Sequence, residues 1–264
     1  MNTEKQGKES LDKIGRYGFL SEPFRCDFTG CLSMSSLGNH LLNAADFHSH
    51  DRGFGLQRLQ AENKTWVLSR LVMEMTKMPA AYSDFFVETW VESAMRYFTH
   101  RNFKVEDVNS GVCGYGRSVW AMIDTDSRQP VNLFEVRDGA LMDYVCPEVA
   151  CPIDIPSRVK MGSQSNRIAT IVASYGDIDV NGHVNSVKYI EHVLNLFPVD
   201  YYKTFALRRI EMVYCAESYA GNYLHFYREQ TGEHEFRVRI TREEASKEGQ
   251  ETEVCRSLLQ FCMR

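Results

Sequence analysis

The residues best suited to chemistry lie together in one stretch, DIDVNGHVNSVKY, which begins at Asp177. It brings Asp177, Asp179, Asn181, His183 and Asn185 close together along the chain. Carboxylates and imidazole accept and donate protons near neutral pH, so this set at a helix start could support general acid–base hydrolysis. The same residue types are also common as helix caps and turn formers. From residue types alone, a purely structural role for Asp179 and Asn181 therefore stays open.

The stretch leads into a predicted helix over residues 184–197. On it Val187, Ile190, Leu194 and Phe197 form an apolar stripe, and polar residues lie on the opposite side. A helix of this kind must bury its stripe against a sheet. Alternating or apolar runs predict the strands of this half at residues 167–174, 206–216, 223–229, 235–241 and 253–263.

The first half of the chain repeats this order. An extended segment at residues 24–32 is followed by a predicted helix at 37–50. In this comparison His40 matches His183, and Arg70 matches Arg208 or Arg209. Further strands are predicted at residues 66–75, 85–92, 95–105 and 112–123.

Each half thus reads as one amphipathic helix and an antiparallel meander, which indicates the α+β class with a sheet wrapped around a helix. Residues 125–166 contain several prolines and show weak periodicity, so they are predicted to connect the halves.

Composition excludes several classes of function. The formal net charge of −5 argues against nucleic-acid binding, which needs a basic face. The first ten residues are polar and the apolar runs are too short to span a bilayer, so we expect a soluble cytoplasmic protein with no membrane partner.

The cysteines give no sign of a metal site. The chain has 8 of them, without a CxxC pair, and no histidine stands at zinc-ligand spacing from Cys146 or Cys151. We expect reduced thiols and neither metal nor cofactor.

Several motifs resemble those of the acyl-carrier-protein thioesterases of bacteria and plant plastids, which are built from two tandem hotdog folds. The run DIDVNGHVNSVKYI is similar to the family signature D-x-D-V-N-x-H-V-N-x-x-K-Y-I. In the first half, LGNHLLNAA, Thr65-Trp66-Val67 and Glu88-Thr89-Trp90-Val91 are similar to the family's N-terminal pattern. The resemblance covers nearly the whole chain, from about residue 16.

The resemblance implies an α+β fold of two tandem hotdog folds, each a central helix wrapped by an antiparallel sheet. It implies an acyl-binding N-terminal hotdog over residues 1–140, a linker over 141–166 and a catalytic C-terminal hotdog over 167–264.

The resemblance also implies the site residues. The D-V-N-x-H match gives Asp179, Asn181 and His183, and a Y-x-x-E pattern gives Glu217, with Glu211 as the alternative acid if the alignment shifts. Plant members carry a cysteine directly after this glutamate, whereas this chain has Ser218. A cysteine nucleophile is therefore in doubt here.

The chemistry of thioester hydrolysis suggests a role for each group. Glu217 would be the base, with a pKa raised by a largely apolar acyl pocket, and His183 would share the water or protonate the leaving thiolate. Asn181 would orient the water or the carbonyl, and Asp179 would hold Asn181 or His183. Backbone N–H groups near residues 182–184 would form the oxyanion hole. Whether Glu217 or His183 takes the proton stays open.

In the first half, the position that matches Glu217 falls near Met78 and Pro79, where no carboxylate stands, so no second active site is expected. This half would instead bind the acyl chain. Candidate side chains for that tunnel, each of which could equally be ordinary core, are Leu41, Leu42, Ala45, Trp66, Trp90 and Trp120.

An acidic carrier protein would dock on a basic patch. The candidates, which could also be ordinary solvated surface, are Lys188, Lys203, Arg208 and Arg209.

The expected function is hydrolysis of fatty acyl-carrier-protein thioesters to free fatty acid and carrier protein, by a monomer or a homodimer. An acyl-CoA thioesterase is the nearest alternative, and a hotdog dehydratase fits the D-V-N-x-H-V-N run less well. A non-catalytic acyl-thioester sensor would need a helix-turn-helix and a basic DNA-binding surface, for which the sequence gives no support.

Overall fold

The computed structural model of the protein describes residues 11–162, 165–246 and 249–264. The polar N-terminal ten residues, and residues 163–164 of the predicted connection, lie outside the described residues. Within the described chain, ten strands form one antiparallel sheet in the order β1-β3-β4-β5-β2-β7-β10-β9-β8-β6. The strands are β1 (Gly15–Leu20), β2 (Lys64–Met75), β3 (Asp84–Ala94), β4 (Phe98–Asp107), β5 (Gly111–Asp124), β6 (Asn166–Val172), β7 (Phe205–Tyr214), β8 (Tyr223–Gln230), β9 (Glu235–Glu243) and β10 (Glu251–Met263).

The two halves join through the pairing of β2 with β7, in which Val72 lies opposite Glu211. The long helix α1 (Met34–Asp51) buries its apolar side against the sheet of the first half, and α3 (Ser186–Leu194) does the same in the second. The short helices α2 (Leu56–Gln60) and α4 (Val199–Thr204) each precede a central strand. This is the expected α+β architecture of two tandem hotdog folds, and that prediction is confirmed.

Both long helices begin at side-chain caps. Ser33 accepts a hydrogen bond from the amide of Ser36 at the start of α1, and Asn185 accepts one from Val187 at the start of α3. The helix predicted over residues 184–197 is shorter than expected. It ends at Leu194, and Pro198 is the N-cap of α4.

The segment predicted as extended, residues 24–32, is mostly a loop. It starts with the 3-10 turn Pro23–Arg25 and closes around Gly30, which has a φ of 74°. The strand in this part of the chain is instead β1, which precedes the segment, lies at one edge of the sheet and pairs with β3. The aromatic residues of the segment suggested a strand, but its proline and glycine decide the local conformation.

The loop before each long helix has the same backbone hydrogen bonds in both halves. The amide of Asp27 donates to the carbonyl of Cys31 at 2.9 Å, and the amide of Asp179 donates to that of His183 at 2.8 Å. Gly30 N to Asp27 O and Gly182 N to Asp179 O are both 3.0 Å.

These hydrogen bonds identify Cys31 as the counterpart of His183. The predicted match of His183 with His40 is wrong, since His40 stands at the same distance from its helix cap as His192.

Residues between the halves add a small core of their own. Leu133, Val136 and Leu141 are buried against Phe54 and Met122 of the first half. The proposed domain boundaries stay a prediction.

All eight cysteines are free. No helix in the described ranges is long and apolar enough to cross a membrane.

Candidate active site

A cleft of about 850 Å³ lies between the two halves. One wall carries all four predicted site residues, and the opposite wall comes from the first half. The second-half residues are Asp179, Asn181, His183 and Glu217; the first-half residues include Leu42, Trp66, Trp120 and Arg128.

Glu217 stands just after β7, where the chain leaves the sheet. The amides of Cys215 and Ala216 both donate to the carbonyl of Val254 in the neighbouring strand, which fixes the path of the backbone into the cleft. The amide of Val184 donates to the carbonyl of Ser218 at 2.8 Å. This last bond joins the His183 loop to the Glu217 loop.

The carboxylate of Glu217 has three polar neighbours. Arg128 Nη2 donates to Oε1 at 2.6 Å, and the hydroxyl of Tyr219 donates to Oε2 at 3.2 Å. His183 Nε2 lies 3.5 Å from Oε2. The ring of Tyr219 also packs against His183 edge to face, with centroids 5.2 Å apart. Glu217 and His183 therefore form one polar unit.

The expectation that the acyl pocket raises the pKa of Glu217 is wrong. Burial does raise the pKa of this carboxyl, but the hydrogen bond from Arg128, the charges of His183 and Arg128 and the Tyr219 hydroxyl outweigh it. The net pKa is below its ordinary value of 4.5. Glu217 is thus ionised at neutral pH.

Asp179 acts on the backbone of its own turn. Its Oδ1 accepts the amide of Asn181 at 2.8 Å and the amide of His183 at 3.3 Å. Gly182, with a φ of 79°, closes the turn in a conformation that glycine adopts at little cost. Asp179 therefore positions Asn181 and His183 through their main-chain amides, in keeping with the prediction that it holds one of them.

The predicted oxyanion hole at residues 182–184 is not available. The amides of Gly182 and His183 are engaged by Asp179, and the amide of Val184 donates to Ser218. Residues 182–184 therefore offer no free backbone donor to an oxyanion. The side-chain amide of Asn181 is exposed in the cleft, and in the described part of the chain it has no hydrogen-bond partner.

Asp177 and Asn185 support the loop. Asp177 is buried, accepts the amide of Ser174 at 2.8 Å and lies 2.8 Å from His192 Nε2. Burial raises the pKa of Asp177, but these hydrogen bonds outweigh it and lower the pKa. Asn185 is the helix cap, so the contacts of both residues are structural.

Neither nearby sulfur nor hydroxyl is suited to be a nucleophile. Burial, together with the charge of Glu253, raises the pKa of the Cys215 thiol, which leaves it protonated. The side chain of Ser218 is fully buried. The arrangement favours attack by water.

Three cleft residues were missed from the sequence: Arg128, Tyr219 and Arg242. Arg128 comes from the loop after β5 of the first half, and no local pattern connects it with Glu217. Arg242 donates to the main-chain carbonyl of Glu217 and lies over the ring of Tyr219. Tyr219 stands two residues after Glu217, so its proximity to the acid was the one available signal.

The predicted acyl-binding residues divide into two groups. Leu42, Trp66 and Trp120 line the cleft, and with Ala45 they line an adjoining cavity of about 60 Å³. Leu41 is fully buried in the core, and Trp90 is buried with its indole N–H bonded to the carbonyl of Val149. Because neither lines the cleft or the adjoining cavity, Leu41 and Trp90 are corrected to core residues.

The predicted docking patch does not form a free basic surface. Lys188 pairs with Glu191, Lys203 with Asp200, and Arg208 with Glu74. Arg209 is buried between Glu74 and Glu211, so its part of the prediction is wrong.

One group of potential metal ligands is found in the described ranges: His225, Glu243 and Glu251, outside the cleft. His225 Nε2 lies 3.0 Å from Glu243, and Glu251 accepts hydrogen bonds from Tyr227 and Thr241. These contacts explain the cluster without an ion.

Comparison with known families gives two matches along the chain. Residues 20–138 match the acyl-ACP thioesterase N-terminal domain, and residues 162–260 match the acyl-ACP thioesterase C-terminal domain.

Among solved structures, an acyl-ACP thioesterase from Bacteroides thetaiotaomicron is 50% identical, with a TM-score of 0.86 over 95% of this chain and 98% of that one. A 12:0-ACP thioesterase from Umbellularia californica has the same fold at 17% identity, with a TM-score of 0.82 over 97% and 100% of the two chains.

A plant relative, oleoyl-acyl carrier protein thioesterase 2 of Arabidopsis thaliana chloroplasts, is 27% identical over 215 residues. The match covers 75% of this chain but 58% of the plant protein. This chain thus spans little more than half the length of that relative.

Proposed function

Because the chain belongs to the acyl-ACP thioesterase family, we propose that it hydrolyses fatty acyl thioesters of an acyl carrier protein. The products are a free fatty acid and the carrier protein thiol. The observation that carries this proposal is the cleft in which Glu217, His183 and Asn181 face the apolar side chains of Trp66, Trp120 and Leu42. The family membership and the names of the relatives support it.

In the proposed mechanism, Glu217 is ionised and accepts a proton from a water molecule as the water oxygen adds to the thioester carbonyl carbon. Its lowered pKa keeps it available as a base at neutral pH, although a weaker base provides less driving force. The carbonyl oxygen becomes an oxyanion, for which the side-chain amide of Asn181 is the donor.

Collapse of the tetrahedral intermediate then breaks the carbon–sulfur bond. The thiolate takes back the proton that Glu217 accepted, with His183 at 3.5 Å as the group that passes it. Water, thioester, acid and thiol balance in this sequence, and it needs no cofactor. Asp179 holds the turn that carries Asn181 and His183, so it is a positioning residue.

The test compares kcat/KM for matched acyl-carrier-protein and acyl-CoA substrates over several chain lengths. We expect hydrolysis of both the acyl-carrier-protein and the acyl-CoA substrates, with a higher kcat/KM for the carrier-protein substrates. A strong preference for CoA would support the alternative of an acyl-CoA thioesterase. Binding of both substrates without turnover would support a non-catalytic sensor instead.

The carrier protein as partner, the monomeric or homodimeric state and the cytoplasmic location stay predictions. Size-exclusion chromatography with light scattering, alone and with the carrier protein, tests the first two.

A further inference from the structure

The small cavity that adjoins the cleft has a buried cation, Arg101, in its lining. Leu42, Trp66 and Trp120 line both the cleft and the cavity, so the cavity lies directly beyond these three side chains. Trp66 donates its indole N–H to the carbonyl of Phe54, and Trp120 donates its own to the hydroxyl of Ser118. Because both N–H groups are bonded elsewhere, the two indole rings present apolar surface to the cleft and to the cavity.

The lining of the cavity is mixed: Ala45, Val91 and Leu141 are apolar, and a second set of residues is polar. Asp46 and Ser49 of α1, with Thr99 and Arg101 of β4, face the cavity. Arg101 is 6% exposed. Its guanidinium donates to the hydroxyls of Thr89 and Ser49, each at 3.2 Å. Among the residues that the structure describes, no carboxylate lies within salt-bridge distance of Arg101.

The surroundings leave this charge poorly compensated. Burial and the nearby charge of Arg52 lower the pKa of Arg101 to about 10, against the opposing charge of Asp46, so Arg101 stays protonated at neutral pH. Burial and the charges of Arg101 and Arg52 lower the pKa of His48 to about 3, so His48 adds no charge.

A hydrocarbon chain end against a guanidinium would displace water from a charge and provide no hydrogen bond in return, which is unfavourable.

We propose that this cavity binds the oxygen-bearing end of an acyl chain, and that the protein accepts acyl thioesters with a hydroxyl group at or near the chain terminus. The inference rests on the proposed hydrolysis and extends it to the substrate class. A hydroxyl accepts from the Arg101 guanidinium and donates to the Asp46 carboxylate, so both polar walls are satisfied. The volume of about 60 Å³ is enough for such a group and a few water molecules.

The experiment uses two series of acyl-carrier-protein thioesters that increase in chain length, one with a methyl end and one with a terminal hydroxyl. At the length that reaches the cavity, we expect kcat/KM for the hydroxyl substrate to exceed that of its methyl partner by about 10- to 100-fold. This is the range given by one hydrogen bond to a charged group. Equal or higher turnover of the methyl series at every length would overturn the inference.

The Arg101→Met variant should abolish or reverse this preference. Arg52→Met is the matched control: Arg52 is a buried arginine of the same region that does not line the cavity, and it should keep the preference. Ser49→Ala is a milder second variant, which should reduce the preference if Arg101→Met does not fold. An equal change in the Arg52 and Arg101 variants would contradict the inference.

A binding measurement separates this inference from the proposed function. Calorimetry of the Glu217→Gln protein with free ω-hydroxy and unsubstituted fatty acids needs no turnover. Tighter binding of the ω-hydroxy acid, lost in the Glu217→Gln, Arg101→Met double variant, supports the cavity assignment even if no thioester is hydrolysed. Hydrolysis of thioesters without any discrimination in either assay would leave the function intact and overturn the inference.

Discussion

The loops before α1 and α3 have the same backbone hydrogen bonds but carry side chains of different chemistry. In each, an aspartate accepts the amide two residues ahead at 2.8 Å, a glycine adopts positive φ, and a capping side chain starts the helix. The side chains that this frame presents differ, however. Cys31 stands where the second half has His183, and Met78 stands where it has Glu217. The shared backbone is therefore structural, and the site depends on the two positions at which the side chains differ.

The space beside each helix also differs between the two halves. Ala45 of α1 lines the cavity beyond the cleft. Phe197, at the same distance from its helix cap, packs against Phe236 and Phe261 with ring centroids 5.0 Å and 5.1 Å apart. The second half thus packs aromatic rings just beyond the end of its helix, whereas the first half has a cavity beside its helix. One half provides polar groups for the reaction, and the other provides room for a chain.

The largest effect is expected from the residues that differ between the two loops. Glu217→Gln and His183→Ala should each lower kcat by about 10²- to 10⁴-fold, because a base or its proton-transfer partner is lost. Their counterparts Met78→Leu and Cys31→Ala should retain nearly full activity. Steady-state kinetics on one acyl-carrier-protein substrate measures all four variants.

A loss of activity in Cys31→Ala comparable to that in His183→Ala would break the comparison, provided that circular dichroism shows both variants folded. It would mean that the first loop also contributes to the site.

The second effect concerns the space beside each helix. Ala45→Phe should fill the cavity, so kcat/KM should fall for long acyl chains and persist for short ones. Phe197→Ala should instead lower the free energy of unfolding by about 3–5 kcal/mol while the preference among chain lengths stays unchanged. Chain-length profiles and denaturant unfolding of both variants provide the test. A changed chain-length preference in Phe197→Ala would show that the second half also receives the chain.

The same comparison shows what could be predicted from the sequence. The stripe on α3 and the alternation in β9 are local patterns, so those elements were predicted nearly in full. The D-V-N-x-H loop is also local, and the three residues predicted from it lie in one cleft with Glu217.

The match of His40 with His183 followed residue identity, whereas the better signal was the shared frame of DFTGCLS and DVNGHVN. There the aspartate, the glycine and the helix cap recur in the same order.

Contacts across the halves could not be predicted. Arg128 reaches Glu217 only because β2 and β7 join the two sheets, and nothing in its neighbourhood along the chain indicates a partner. For the same reason, the expectation that the pKa of Glu217 is raised was wrong. Burial was foreseen, but the arginine that outweighs it was not.

Arg128→Ala tests this contact by its effect on pH dependence. The folded pKa of Glu217 lies below 4.5, so both the activity and the stability due to its ionised form persist above that pH and are lost as pH falls through the lowered pKa. Without Arg128 the burial effect remains and the pKa rises, so the acidic limb of the kcat/KM profile should move to higher pH. Arg128→Lys should shift the limb less. An unmoved limb in Arg128→Ala would assign the limb to another group.

The smallest expected effect separates the backbone of the loop from the side chains that it carries. Gly30 and Gly182 both have positive φ, and a Cβ at either position would meet no atom within 4 Å. Alanine at each should therefore cost only backbone strain, about 1–2 kcal/mol in the free energy of unfolding. Since the Gly182 turn carries Asn181 and His183, only Gly182→Ala should also lower kcat. Equal losses of stability with unequal losses of kcat would show that the two loops share a scaffold and that one of them carries the reaction, whereas equal losses of both would refute that division.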